Sequence, residues 1–140
     1  MEKPSFFRPP PALEPYTERF WRACREGRLE FQRCVPCNFF IHPERPVCPR
    51  CRGRELQPQA VSGRATLFSY TVNHQAWYPG QPVPYVIGLA EIDEQPGLRL
   101  TTNVVHCAIE RLRIGMPLQV VFEPLGDNVA LPLFEPTEGA

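Results

Sequence analysis

Cys34-Val35-Pro36-Cys37 and Cys48-Pro49-Arg50-Cys51, with ten residues between them, form a CxxC-x10-CxxC array. Each pair wraps a turn that points two sulfurs at one ion, and the short gap folds the second pair back onto the first. Zinc takes four sulfurs tetrahedrally and has no redox chemistry of its own, so a site of this kind holds a fold together. Iron accepts the same spacing, and the spacing does not separate the two metals. The competing reading is a pair of disulfides. No signal peptide is read ahead of the array, so the chain is expected to stay in a reducing, cytoplasmic setting, where disulfides are rare. Four sulfurs close the coordination shell and leave no position for water or substrate. The metal is therefore expected to be structural, with Cys34, Cys37, Cys48 and Cys51 as its ligands.

The 140 residues suffice for one ordinary domain or two very small ones. A ribbon of a few dozen residues is too small to fold on a hydrophobic core alone, which is where a metal helps. Formal net charge is +0, yet residues 1–62 carry eleven Lys/Arg against seven Asp/Glu and residues 63–140 carry four against eight. A basic ribbon beside an acidic domain suits docking to an acidic partner or to a ligand phosphate, and it also describes an ordinary solvated surface. No stretch has the length of a transmembrane helix, so no membrane contact is expected. Eighteen prolines favour turns, strand edges and irregular arms.

Outward from the array, Phe6-Phe7-Arg8-Pro9-Pro10-Pro11 reads as a non-helical arm whose phenylalanines pack on this protein or on a partner. Residues 14–26 read as a helix with Pro15 in its first turn. Tyr16, Phe20, Ala23 and Cys24 fall on one stripe, Trp21 lies beside it, and Gly27 ends it. Cys24 is thereby a core position. Leu29 to Arg33 form a strand leading into the first knuckle. Asn38 and Gly53 follow the two knuckles, where positive φ is useful. His42, between them, is surplus to a four-cysteine shell.

From residue 61 the pattern changes to period two. Runs 65–73, 85–92, 98–105, 118–122 and 129–134 read as five strands, with a small helix between the third and fourth at Ala108 to Leu112. Gly88 suggests a bulge or bend in the second run, and Pro132 makes the last run an edge. Five strands in this order match an OB-type barrel. The expected fold is mainly β: an N-terminal arm and helix (1–27), a zinc ribbon (28–60) and an OB-fold domain (61–140).

Catalytic constellations are scarce. His74 stands near Trp77 and Tyr78. His106 and Cys107 are adjacent, and neighbours on a strand face opposite ways. Nothing places a base beside a nucleophile. There is no Walker loop, no GxGxxG and no HExxH. Phe68, Tyr70, Trp77, Tyr78 and Tyr85 are potential stacking platforms for nucleic acid. The barrel half offers only Arg64, Arg99, Arg111 and Arg113 as cations, a poor groove for phosphates, so nucleic acid is not the expected partner. With Pro79, Pro82 and Pro84 the same aromatics suit an apolar slot for an acyl chain or a partner loop. They equally suit filling the barrel and capping its mouth.

One family combines these pieces in this order. Phe20-Trp21 and Gly27-Arg28-Leu29 precede the two CxxC pairs. Ser62-Gly63-Arg64-Ala65-Thr66, Tyr70-Thr71-Val72 and Pro84-Tyr85 follow. Ile114-Gly115-Met116-Pro117, Val120-Val121-Phe122-Glu123 and Phe134 with Pro136 close the series. Over residues 14–136 the chain resembles the DUF35 family, acyl-CoA-associated OB-fold proteins with a rubredoxin-like zinc ribbon. The glycine that often follows each CxxC is here Asn38 and Arg52, and a further family glycine is Ala65.

The resemblance implies a non-catalytic accessory subunit. Its partner would be a thiolase-fold enzyme (a thiolase, an acyltransferase or a steroid side-chain retro-aldolase) or, in some systems, an acyl-CoA hydratase subunit. The partner would carry the catalysis, in a hetero-oligomer, and the small subunit would stabilise it and help hold the CoA thioester. Arg45, Arg50, Arg52 and Arg54 are then candidates for phosphate or partner contacts, and Phe68, Tyr70 and Tyr85 for an apolar binding face. The alternatives are a free-standing acyl-CoA binder and a nucleic-acid-binding OB protein.

Overall fold

A computed structural model of the chain describes residues 10–15 and 17–137. The expectations for Phe6, Phe7 and Tyr16 lie outside the described residues. The helix, α1, covers Glu18–Arg25 and is shorter at its start than expected. Ahead of it the N–H groups of Thr17 and Glu18 donate to the Glu14 carbonyl in a turn. Its C-terminus is closed by a Schellman arrangement: the N–H of Arg28 reaches the Ala23 carbonyl (2.8 Å) and that of Gly27 the Cys24 carbonyl (3.0 Å). Gly27 sits at φ 83°, where a Cβ is penalised.

Three strands form the ribbon sheet: β1 (Glu30–Cys34), β2 (Phe40–Ile41) and β3 (Leu56–Ala60), in the order β2-β1-β3. Five more close into a barrel: β4 (Arg64–Asn73), β5 (Tyr85–Ile92), β6 (Arg99–Val104), β7 (Pro117–Leu125) and β8 (Val129–Pro136). The barrel order is β4-β5-β6-β8-β7. β7 returns to pair with β4, and β8 runs parallel to β6 at the single bridge Val104↔Phe134. A one-turn 3-10 helix at Ile109–Arg111 stands where the small helix was expected.

Two strand-level expectations are corrected. The register break lies in β4, between Leu67 and Ser69, so Phe68 is the extra residue and the bulge is not at Gly88. Gly88 has a different cause: a Cβ there would stand 2.7 Å from Val104 Cγ2 and 3.3 Å from Leu67 Cδ1. Pro132 does not mark an edge, because β8 has neighbours on both sides. The Pro132 carbonyl accepts the Thr102 hydroxyl (2.8 Å). The missing N–H points to that same side, where β6 and β8 share no continuous ladder, so no hydrogen bond is forfeited.

Helix, ribbon and barrel share one core. Cys24 from α1 and Leu29, Phe31 and Phe40 from the ribbon join Leu67, Ala90, Ile92, Leu118 and Phe134 of the barrel. Burial pushes the Cys24 thiol up to about 12, consistent with an inert core cysteine. The Gln95 side chain, in the turn after β5, grips β2: its Oε1 accepts the Phe40 N–H (2.8 Å) and its Nε2 donates to the Phe40 carbonyl (3.0 Å). Among the described residues no helix is long and apolar enough to cross a membrane.

Candidate metal centre and adjoining cleft

The two knuckles are built alike. Cys34, the last residue of β1, accepts the Asn38 N–H at its carbonyl (2.7 Å) and donates its own N–H to Phe39 (2.9 Å). Cys48 accepts from Arg52 (2.9 Å) and donates to Gly53 (2.9 Å). The turn forces residue i+4 of each knuckle into the left-handed region, with Asn38 at φ 63° and Arg52 at φ 65°. Both positions thus keep the turn that glycine would make, at the strain a side chain brings there. Gly53, one residue later, serves close approach: a Cβ on it would lie 3.2 Å from Cys51 Sγ.

The turns bring four sulfurs together. Cys34 and Cys51 Sγ are 3.4 Å apart, Cys37 and Cys48 Sγ 3.7 Å, and all four lie within 4.8 Å of one another. None is in a disulfide. A zinc ion bound at about 2.3 Å sets tetrahedral sulfurs about 3.8 Å apart, close to the Cys34–Cys51 and Cys37–Cys48 separations. Backbone donors already face the sulfurs: Arg50 N–H to Cys48 (3.4 Å) and Gly53 N–H to Cys51 (3.3 Å). Without the ion, four neighbouring thiols cannot all ionise. Burial pushes Cys34 up to about 12. Burial also works against ionisation of Cys48, but the N–H groups of Cys51 and Arg50, together with the neighbouring Cys37 and Cys34 thiols, outweigh it and hold that thiol at about 6. A bound zinc would hold all four as thiolates.

The remaining candidates do not meet in one place. Arg45, Arg50, Arg52 and Arg54 are exposed on the ribbon. Arg50 reaches over Phe39 (5.5 Å to the ring centroid), and Arg45 is pinned through its backbone by the Gln32 side chain. Phe68, on the bulge, faces outward with the Arg99 guanidinium 3.7 Å from its ring centroid. Tyr70 pairs opposite Gly88 and packs against the core, on the inner side. Tyr85 opens β5 and lines a separate cleft of about 250 Å³ with Asn103, His106 and Cys107.

The expectation that His106 and Cys107 alternate along a strand is corrected, because β6 ends at Val104. His106 turns at φ 58° and its Nδ1 meets Glu135, while the Cys107 thiol donates to the Ala108 carbonyl (3.3 Å). The two side chains are thus engaged elsewhere. His74 is exposed.

A larger cleft of about 480 Å³ opens where α1, the ribbon and β6 meet, a size in the range of small-molecule sites. Phe20, Trp21, Phe31 and His42 give it an aromatic wall, with Glu44 and Arg99 at hand. His42 sits against Phe31 (5.1 Å, edge-on) and Phe20 (5.5 Å), and burial holds its imidazole below the usual range, in the neutral form. Phe20 was expected on a core stripe and His42 as surplus to the four-cysteine shell. The signals passed over were Trp21 beside that stripe and a histidine surplus to the metal.

Two family models match consecutively: the ChsH2 rubredoxin-like zinc ribbon domain over residues 21–57 and the ChsH2 C-terminal OB-fold domain over residues 58–123. A probable enoyl-CoA hydratase alpha subunit of Thermomonospora curvata is 34% identical over 96% of this chain, and the chain spans 42% of that protein's length. A DUF35 domain-containing scaffold protein of Methanocaldococcus jannaschii is 34% identical over 79% of each chain. Among solved structures, a chain of the Ltp2-ChsH2(DUF35) aldolase superposes with TM-score 0.82 at 33% identity, covering 91% of this chain and 98% of that one. The four sulfurs are the structural zinc site of a rubredoxin-like ribbon. With ribbon and barrel both matched in order, and a relative at this identity covered over most of its length, the chain belongs to the DUF35 family.

Proposed function

We propose that this chain is a non-catalytic accessory subunit that binds and stabilises an enzyme acting on acyl-CoA thioesters, a thiolase-fold enzyme in particular. The observation that carries the reading is the likeness to the DUF35 chain of an aldolase, which this chain matches over nearly that chain's whole length. The chemistry supports it. The metal shell is filled by four thiolates, and a zinc without an open position neither activates water nor polarises a carbonyl. In this reading Arg45, Arg50, Arg52 and Arg54 offer exposed charge to CoA phosphates or to the partner. Of the aromatic candidates Phe68 is retained, since its exposed ring lies beside Arg99.

The test is capture from the native organism with the whole chain as bait, followed by mass spectrometry and assay of the pair. Near-equal recovery of a thioester-processing enzyme whose melting temperature or rate rises on binding is the expected result. A chain that captures no such enzyme, yet binds acyl-CoA saturably in calorimetry, would be a free-standing binder instead.

A further inference from the structure

Residues 65–90 contain no Asp, Glu, Lys or Arg, in a chain where charged residues make up 21%. At that frequency, about one run of this length in several hundred would be bare by chance. The run covers the β4–β5 hairpin and its connecting loop between Arg64, which opens β4, and Glu91, near the end of β5. Much of it faces water, with Arg99 of β6 against Phe68 at its border. Phe68, Ser69 and Thr71 are exposed on β4. Ile87 and Leu89, which pair with Thr71 and Ser69, are half-exposed on the same face. In the loop Trp77 is 66% exposed, with Tyr78 and Val83 exposed beside it.

The loop is nevertheless ordered. Asn73 Nδ2 donates to the Gln75 carbonyl (2.9 Å), Gln81 Oε1 accepts the Trp77 N–H (2.7 Å), and the Gln81 N–H reaches the Tyr78 carbonyl (3.1 Å). Loss of charge together with outward aromatics on a pre-ordered backbone is the composition of an interface centre. The pre-ordering lowers the entropy cost of docking.

We infer that the uncharged stretch 65–90 of the β4–β5 hairpin is the surface by which this chain docks, with Trp77 as anchor, into an apolar recess on the enzyme subunit it accompanies. The occupant is a different protein and not a second copy. Residues 63–140 carry four Lys/Arg against eight Asp/Glu, so hairpin-to-hairpin pairing would bring two acidic barrels together. A recess with a basic rim suits this half of the chain, and a charge-bearing nucleic-acid groove does not. The inference rests on the accessory-subunit reading and adds the face that reading lacks.

The experiment uses the full chain and the captured enzyme subunit. Affinity is measured for the wild type, Trp77→Asp, Thr71→Glu and, as a matched control, Ile114→Asp, since Ile114 is 62% exposed but lies outside the hairpin. Zinc content and melting temperature verify the fold of each variant. Trp77→Asp is expected to weaken binding about 100-fold or more and Thr71→Glu about 10-fold, with Ile114→Asp within about threefold of wild type. Wild-type binding that both hairpin variants retain would overturn the inference and leave the accessory-subunit reading standing. A wild type that binds no thioester enzyme would remove that reading and the inference with it. A concentration-dependent homodimer lost in Trp77→Asp would assign the face to a second copy and overturn the choice of partner.

Discussion

The ribbon and the barrel are joined in one chain but held by different forces. The ribbon's own cluster is Cys34, Ile41 and Cys48, with Cys37, Phe39 and Leu56 partly buried around it. Half of these residues are metal ligands, so little apolar surface remains to offset chain entropy. The barrel encloses Leu67, Ile92, Met116, Leu118 and Phe134, all essentially without solvent contact. Its strands bury one face and close the sheet on itself, which removes exposed edges. Apart from the Leu29, Phe31 and Phe40 it lends to the shared core, the ribbon therefore depends on coordination, and the barrel on packing.

Metal removal is the largest available perturbation of that contrast. Structural zinc in small domains carries about 10–16 kcal/mol of apparent binding free energy near neutral pH. Cys48→Ser, or a strong chelator, is expected to abolish amide protection in β1–β3 while β4–β8 keep most of theirs. Hydrogen exchange resolved by segment reads this directly. Equal loss in both regions would mean that the shared core of Phe31 and Phe40 fuses them into one cooperative unit. The reciprocal experiment is Phe134→Ala. Phe134 is fully buried and stands at the β6–β8 bridge. Its truncation is expected to lower stability by about 3–5 kcal/mol in urea unfolding, with stoichiometric zinc still bound to the folded protein. Zinc loss from the folded variant would contradict separate origins of stability.

The same contrast explains what was readable in the sequence. The metal ligands were legible because thiolate chemistry demands four cysteines at close spacing, and the barrel because one-sided burial writes a period of two. Of the ribbon strands, β3 was silent. Leu-Gln-Pro-Gln-Ala has no alternation, since only Leu56 is even partly buried, and it forms by pairing with β1 from an edge position where Pro58 is tolerated. β2 is two residues long, too short for any pattern. Gly88 was visible as an anomaly, but its cause lies in Val104, sixteen positions away, which only the fold brings near. The 480 Å³ cleft was illegible for a similar reason. Its wall combines helix, ribbon and barrel residues whose meeting depends on how the three parts dock.

That docking is what the next prediction probes. Gln95 belongs to the barrel but satisfies both backbone groups of Phe40 in the ribbon, standing in for a fourth strand of that sheet. Gln95→Ala leaves a part-buried donor and acceptor without this partner and is expected to cost about 1–3 kcal/mol. The loss is expected in exchange protection of β1 and β2, with β4–β8 unaltered. A uniform drop across all strands would place Gln95 in the barrel's own stability and blur the distinction between the two parts.

The smallest effect concerns strain inside the ribbon. Arg52 holds φ 65° because the second knuckle requires it, and its side chain is exposed. A Cβ in that region costs about 1–2 kcal/mol, while glycine brings about 0.5–1 kcal/mol of extra backbone entropy to lose on folding. The difference favours Arg52→Gly by a few tenths to about 1 kcal/mol. Asn38→Gly should gain less, because asparagine tolerates the left-handed region better than arginine. Zinc-competition titrations of the two variants measure this as tighter retention of the ion, since ribbon folding and metal binding are one equilibrium. If Arg52→Gly raised barrel stability without changing zinc affinity, strain in the knuckle would not be coupled to coordination, and the metal would not be what holds this turn.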